Sequence, residues 1–381
     1  MGNIAGMVMG LCRAYTFLIR TETRVTTCRQ QTNPVGACTP KELGLHDSSV
    51  YPIPMRAITY HETGGPDVLQ VEEKTKPEPA SDEVLVRVEA TSVNQIDTLF
   101  RSGVDMFVPD QFPAVAGVDM AGVVEEIGSE VEGFTIGDRV LGAEFPGPTG
   151  ANAEYVASSP AFLAPLPEEV SFEAGAGIGH VGITSWRSLV DHAALEPKET
   201  CLIHGGGGGL GPIAVQLADR IGGRVVTTSS SPDRRDELER LGAEVALDYR
   251  RDDLQEAFLE AAPGKANVII DGHLNNYFEF DLEVLARFGR IVCIEFTGDE
   301  GGEASFSQFH TRLGNWKEAR LHWVGAPNAP DVSDVLGRLA ALVASGDVEV
   351  PIAKTYSFDE AADAHQAMID SDYFGKLILE P

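Results

Sequence analysis

Lysine is scarce in this sequence. Only eight of its 29 basic residues are lysines, they stand against 58 acidic ones, and the formal charge is −29. A chain so poor in positive charge has no basic face for nucleic acid or for an anionic membrane, so neither is expected as a partner. A carboxylate-rich, lysine-poor surface fits a halophilic setting, where salt screens the self-repulsion. Long apolar runs are missing too. None reaches the roughly 18 residues of a membrane span, although 43% of the chain is hydrophobic. Cysteine is sparse and unpatterned. Three of the five (Cys12, Cys28, Cys38) fall in the first 54 residues, and Cys201 and Cys293 lie in separate apolar runs. That excludes a disulfide framework and a zinc knuckle, and makes a reducing, cytoplasmic setting the default.

The first 54 residues do not match the rest. They carry five basic and three acidic residues, a net +2, which leaves −31 for residues 55–381. Either they are an Arg- and Thr-rich targeting leader, or Met55 is the true start behind an in-frame upstream translation. The second reading is favoured, because a leader would be the one part of an acidic protein to escape its surface bias. Residues 1–54 are set apart from the fold reading.

What the chain has in abundance is glycine, and its densest stretch is CLIHGGGGGLG, Cys201 to Gly211. Cys201, Leu202 and Ile203 read as a short buried strand. A helix follows the turn at once. Pro212 is tolerated in its first turn, Ile213, Leu217 and Ile221 keep a helical period, and Gly222 suits its C-terminal cap. Gly206, Gly208 and Gly211 have G-x-G-x-x-G spacing. Such a turn lets backbone N–H groups approach a pyrophosphate, and the helix N-terminus adds about half a positive charge. Gly209 and Leu210 complete the expected cradle. The next strand, RVVTT (224–228), would end in Asp or Glu in an NAD enzyme, to accept from the ribose 2′-OH. Here it ends in Ser229, Ser230 and Ser231, with Arg234 and Arg235 beyond, a set that suits a 2′-phosphate and so NADP(H). In the competing reading the two arginines are solvent-facing and pair with Glu237 or Glu239.

Residues 55–130 are dense in short strands and Gly/Pro turns, such as MRAITYHE and EVLVRVE, and read as a small β-barrel-like domain. A helical, small-residue-rich stretch at 172–195 follows. β-rich runs at 224–228, 243–249, 267–272, 290–295 and 319–325 then alternate with helices, the pattern of a doubly wound parallel sheet. Asp331 to Ser345 is a further amphipathic helix, and FGKLIL (374–379) a closing strand.

These pieces together carry a resemblance. VNQIDTLFRSG (93–103), AGVDMAGVVEEIG (116–128), GDRV (137–140), NAEYV (152–156), GITSWRSL (182–189), HGGGGGLG (204–211), DYR (248–250) and GKLIL (375–379) lie in the order and spacing of one family. From Met55 to Pro381 the chain resembles the zinc-independent, zeta-crystallin-like quinone oxidoreductases of the medium-chain dehydrogenase/reductase superfamily. The resemblance implies an α/β fold with a GroES-like catalytic domain at about 55–181 plus 325–381, and a Rossmann domain at about 182–324. It implies NADPH-dependent hydride transfer to a quinone or other activated alkene or carbonyl. A 2-enoyl-thioester reductase and a non-catalytic NADPH-binding protein are the alternatives. A homo-dimer is also implied.

The branch is decided by absences. Zinc-dependent relatives have Cys where this chain has Asn94, and His-Glu where it has Val118-Asp119. His180 falls near a third ligand position, but one imidazole does not make a site, so no metal is expected. The resemblance puts Asn94 and Asp97 at the mouth of the nicotinamide cleft and Thr184 on the cofactor side. Asn94 would donate its amide N–H to the substrate carbonyl, and Asp97 would be a structural acceptor. Arg101 is an alternative anchor for that loop, and Tyr155 a candidate proton donor. For the cofactor, Tyr249 would pack near the adenine ribose and Asn275 near the adenine edge. The backbone from Ile294 would pass the nicotinamide ribose, and Lys376 would approach from the C-terminal segment. The chain departs from the family pattern at Leu99, at 104–107 and at 295–297. These departures leave the cofactor fold intact but put quinone specificity in question.

Overall fold

A computed structural model of the chain describes residues 53–104, 108–144, 150–294 and 307–381. Most of the leader, and the departures at 105–107 and 295–297, lie outside these residues. Residues 51–381 form one compact unit.

The first part of the chain is mostly strand. It contains β1 (Pro54–Tyr60), β2 (Gln70–Thr75), β3 (Val84–Val93), helix α1 (Gln95–Ser102), β4 (Ala114–Val115), β5 (Asp119–Ile127), β6 (Arg139–Ala143), β7 (Tyr155–Ser158) and β8 (Leu163–Pro165). Helix α2 (Phe172–Trp186) follows and continues as a wider turn over Arg187–His192. Strand and helix then alternate: β9 (Thr200–Ile203), α3 (Gly211–Ile221), β10 (Arg224–Thr228), α4 (Pro232–Arg240), β11 (Val245–Leu247), α5 (Leu254–Ala261), β12 (Ala266–Asp271), α6 (Leu274–Val284), β13 (Leu285–Cys293), α7 (Gln308–Lys317) and β14 (Arg320–Trp323). The chain closes with α8 (Val332–Ala344), β15 (Ile352–Ser357), α9 (Ala361–Asp370) and β16 (Lys376–Glu380).

Strands β9 to β14 make a six-stranded, all-parallel sheet in the order β11-β10-β9-β12-β13-β14. Counted from β9, that is 3-2-1-4-5-6, the doubly wound Rossmann order, whose chain reversal opens a crevice beyond the C-terminal end of the first strand. The apolar run Cys201–Ile203 is fully buried because β9 lies in the middle of this sheet. α3 keeps Pro212 in its first turn and ends on Gly222 at φ 90°.

The other strands form a seven-stranded sheet, β15-β16-β3-β5-β6-β8 with β7 also on β3, and a three-stranded sheet, β2-β1-β4. β3 is long enough to serve two neighbours along one edge. Its first half pairs β7 and its last three residues pair β16. Two registers matter below. Ser92 faces Asp119 across β3 and β5, and Val93 faces Leu377 across β3 and β16. Continuing the second by one step sets Lys376 opposite Asn94.

α2 joins the two lobes. It packs on β3, β5 and β6 and also on α3 and α8. It carries four glycines, each costing a helix about 1 kcal/mol against alanine. Close approach explains one of them: a Cβ on Gly179 would lie 2.4 Å from the Asp119 carboxylate. One hydrophobic cluster runs from Ala121 and Leu141 through α2 to Ile203 and Val225. The expected division at 181/182 falls inside α2.

Candidate active site

The glycine turn lies at the crevice. Gly205 takes φ 66° and starts it. A Cβ on Gly206 would lie 2.2 Å from Thr227 Oγ1, and one on Gly211 would lie 2.3 Å from the Gly206 carbonyl oxygen. These two are glycines because the turn folds back on itself. Gly208 is different, since a Cβ there would meet only the Gly205 oxygen, at 3.6 Å. Leu210 caps α3 through its backbone, with no side-chain cap. A cradle lined by glycine at the N-terminus of an eleven-residue helix fits a pyrophosphate.

The expected 2′-phosphate residues gather at the end of β10. Ser229 Oγ would lie 3.0 Å, and Arg234 Cδ 3.1 Å, from a Cβ on Gly207. Arg235 donates to the Ser229 carbonyl at 2.9 Å and Arg250 to the Ser230 carbonyl at 2.5 Å. Asp248 stands 3.4 Å from Arg235 and 3.2 Å from Arg250. Arg234 does not pair with Glu237 or Glu239. It donates to the Ser371 carbonyl at 3.1 Å and to Asp372 at 2.8 Å, while Glu237 takes Arg240 and Glu239 accepts from the Ala246 N–H. Tyr249 is exposed beside Arg250, Asn275 is exposed in the first turn of α6, and Ile294 follows β13 with its N–H on the Asp271 carbonyl.

On the other side of the turn is a buried polar cluster at the end of β3. Asn94, which leads into α1, is 3% exposed. Its amide nitrogen donates to Asp119 Oδ2 at 2.7 Å, and its amide oxygen accepts from Lys376 Nζ at 2.6 Å. One of the two N–H bonds expected to face a substrate is therefore already taken. Asp119 is the centre of the cluster. It also accepts from Ser92 Oγ and from the His180 N–H, both at 2.6 Å, and Lys376 Nζ stands 3.9 Å away. Burial pushes the Lys376 ammonium below its ordinary range, against the pull of Asp119 and Asp97. Asp97 accepts from the Asn94 N–H at 2.7 Å, and its other oxygen has no partner. Burial pushes its carboxyl up to about 7. Thr184 gives its hydroxyl hydrogen to the His180 carbonyl at 2.9 Å, and burial lowers the His180 imidazole to about 4.

Asp119 is the residue that sequence reasoning passed over except as a missing ligand. The available signal was an acid inside the apolar run AVAGVDMAGVV, where a buried carboxylate needs partners. Arg101 does anchor its loop, by donating to the Gly64 carbonyl. Tyr155 is not part of the cluster: it lies on β7 with the Lys76 ammonium 4.4 Å above its ring.

A second buried cluster adjoins the turn. His204, the residue before Gly205, has Nε2 2.8 Å from Asp281 Oδ1 and stacks on Tyr277 at 4.5 Å. Asp271, at the end of β12, accepts from the His273 N–H at 2.6 Å.

Comparisons with known proteins agree with this architecture. A family model described as an alcohol dehydrogenase GroES-like domain matches residues 80–168, and one described as a zinc-binding dehydrogenase matches 241–379. The quinone oxidoreductase of Salmonella typhimurium is 30% identical over 334 residues, covering 85% of this chain and 99% of that protein. The quinone oxidoreductase of Rattus norvegicus is 31% identical over 330 residues, covering 85% and 97%. A solved structure of the Escherichia coli quinone oxidoreductase complexed with NADPH superposes with TM-score 0.76 at 28% identity, over 86% of this chain and 100% of that one. The strand order, the glycine cradle and the GroES-like match define an oxidoreductase of the medium-chain dehydrogenase/reductase superfamily. Within it, the chain belongs to the quinone oxidoreductase family.

The zinc in one of those descriptions does not suit the residues present. Val118 is apolar, the Asn94 oxygen is held by Lys376, and both Asp119 oxygens already accept hydrogen bonds. A dication would have to displace an ammonium 3.9 Å from Asp119. Among the described residues, no group of three or more His, Cys, Asp or Glu is arranged to hold a metal.

Proposed function

We propose that this protein is an NADPH-dependent reductase acting on a quinone or another activated alkene or carbonyl. The observation that carries the reading is the meeting of the glycine cradle with the Asn94 cluster, where Lys376 borders both. Relatives at about 30% identity are quinone oxidoreductases, and one solved relative holds NADPH.

NADPH, when bound, supplies the hydride. The residues do the rest. The backbone of Gly206, Gly208, Gly209, Leu210 and Gly211 cradles the pyrophosphate. Ser229, Ser230 and Arg234 meet the 2′-phosphate, with Arg234 leaving Asp372, which is exposed and loses little by the exchange. The second N–H of Asn94, which neighbours the Asp97 carboxyl in the resting site, turns to the acceptor carbonyl as negative charge grows on it, in a buried site. The Thr184 hydroxyl, whose hydrogen is committed to its own helix, offers only its lone pairs and orients the carboxamide side of the cleft. Asp97 holds the start of α1.

The test is a spectrophotometric panel following NADPH against NADH loss with 1,2- and 1,4-quinones, enones and enoyl thioesters, with and without a chelator. Turnover of quinones with NADPH, unaffected by chelation, is expected. Arg234→Ala should raise the NADPH KM about ten- to a hundredfold and leave the NADH KM unchanged, since a charge-assisted phosphate contact is worth about 1.5–3 kcal/mol. A preference for NADH, or loss of activity on chelation, would overturn the reading.

A further inference from the structure

An asparagine amide reads almost the same either way round, and its orientation is usually a matter of assignment. At Asn94 it is not. The oxygen end faces an ammonium at 2.6 Å and the nitrogen end a carboxylate at 2.7 Å. Turning the amide over would put NH2 against NH3⁺ and oxygen against carboxylate, so two full charges fix it.

The ammonium reaches Asn94 from the cofactor side. Lys376 is 2% exposed, and its stem passes the glycine turn: a Cβ on Gly209 would lie 3.3 Å from Lys376 Cδ. Gly177 of α2 faces the same stem, where a Cβ would lie 3.5 Å from Lys376 Cγ. Nζ then donates to the Val93 carbonyl at 3.2 Å and to Asn94. Burying one of only eight lysines at this point costs several kcal/mol of desolvation, and an apolar side chain would fill the space more cheaply. A simple counter-ion for Asp119 would sit on Asp119. Lys376 instead stands 3.9 Å from that carboxylate, its shortest bond is to the amide, and Asp119 has three other donors.

We propose that Lys376 is a positioning residue that holds the Asn94 amide in its working orientation and transmits occupancy of the glycine turn to that amide. The inference rests on the reading of Asn94 as donor to the acceptor carbonyl. It adds a physical link between cofactor binding and the substrate side of the cleft, with Lys376 acting through Asn94 rather than on the substrate.

Lys376→Met keeps an unbranched apolar stem and removes the donors. In a quinone assay its kcat should fall about 10- to 100-fold, the scale of a misplaced reacting group, with the quinone KM within about threefold of the parent. In an Asn94→Ala background the same substitution should cost nothing further, because the two act as one unit. A readout that needs no turnover is the Asn94 side-chain amide signal in protein labelled with 15N-asparagine. NADPH should shift it in the parent and leave it unmoved in Lys376→Met. If Lys376→Met is not recovered folded, Lys376→Gln, which keeps an uncharged amide donor group on a shorter stem, should show an intermediate kcat and a reduced NADPH shift. Additive losses in the double variant, an unchanged kcat in Lys376→Met, or an NADPH shift that persists in it would each overturn the role of Lys376. An undiminished kcat in Asn94→Ala would instead sink the reading of Asn94 as donor, and the proposal with it.

Discussion

Two buried polar clusters flank the glycine turn, and they follow opposite rules. On the parallel-sheet side, His204, Asp271 and Asp281 meet with no Lys or Arg of the described residues among the groups acting on either carboxyl. Burial pushes Asp271 up to about 7 and Asp281 up to about 8, and pushes the His204 imidazole down. The His204–Asp281 contact is thus a buried hydrogen bond in surroundings that disfavour charge on both partners, and Asp271 hydrogen-bonds Asp281 beside it. On the antiparallel side, Asp119 has an ammonium within 3.9 Å and both of its oxygens accept hydrogen bonds. The comparison teaches that hydrogen-bond donors decide what a buried carboxyl does: Asp119, with both oxygens bonded, ties β3 and α2 to β5, whereas burial pushes up Asp281, and also Asp97 within the antiparallel cluster in spite of the pull of Lys376.

The sharpest way to break that contrast is to remove the carboxyl from each cluster. Asp119→Ala takes the counter-charge from Lys376 and an acceptor from Ser92 Oγ, the Asn94 amide and the His180 N–H, so it should cost about 3–5 kcal/mol in chemical denaturation, the scale of an uncompensated buried charge. Asp281→Ala removes the hydrogen bond to His204 and should cost about 1–3 kcal/mol. Equal losses would mean that the ammonium does not distinguish the clusters.

The pH dependence of stability separates them next. Asp281 titrates near 8 in the fold against 3.8 for a free aspartate, because of burial, with a hydrogen bond from Asp271 working the other way. A carboxyl with a raised folded pKa binds more protons in the native state than in the unfolded one. Its contribution is fully present below about pH 4 and is lost as pH rises through about 8. The lowered pKa values of His180, His204 and His365 act in the opposite direction up to about 6.5, so the parent curve alone is a mixture. The difference between the parent and Asp281→Asn isolates the carboxyl. Measured by denaturant melts from pH 4 to 8.5, the parent should lose stability relative to the variant across that window. A flat difference would show that Asp281 is ionised throughout. His204 is the nearest group that could mask the effect, and Asp271 the next.

The two sides also differ in how far the sequence revealed them. Everything at the glycine turn is local in the chain: the apolar run of β9, the turn, Pro212 and the cap at Gly222 occupy one continuous stretch. Periodicity and spacing read such a stretch directly, and β10 and α4 were legible for the same reason. The Asn94 cluster is assembled from β3, β5, α2 and β16. Lys376 is 282 positions from Asn94, and only the β3–β16 register brings them together. No local pattern carries a register between distant strands. Resemblance singles out Asn94 and Lys376 separately and points Lys376 to the cofactor alone, and in the sequence Asp119 marks only a place where a metal ligand is missing. The bond between Arg234 and Asp372 was hidden for the same reason, since the pair is 138 positions apart.

The smallest effect concerns the turn between the clusters. Gly206 and Gly211 are pressed against Thr227 Oγ1 and the turn's own backbone, and Gly209 against Lys376, so a methyl group at any of them acts through packing. Gly208 is the exception. Its only neighbour within 4 Å of a Cβ is the Gly205 oxygen, at 3.6 Å, so the fold has room for a side chain there. Gly208→Ala should leave stability within about 0.5 kcal/mol of the parent, or raise it slightly by narrowing the unfolded ensemble. A methyl group on that open side stands where the backbone would meet a pyrophosphate. The NADPH Kd, read from nicotinamide fluorescence, should therefore rise about tenfold, close to 1.4 kcal/mol. The Asn94 amide signal should keep its NADPH-induced shift at saturation, because Lys376 is untouched. An unchanged Kd would mean that the pyrophosphate does not lie over Gly208 and that the glycines of this turn serve packing alone.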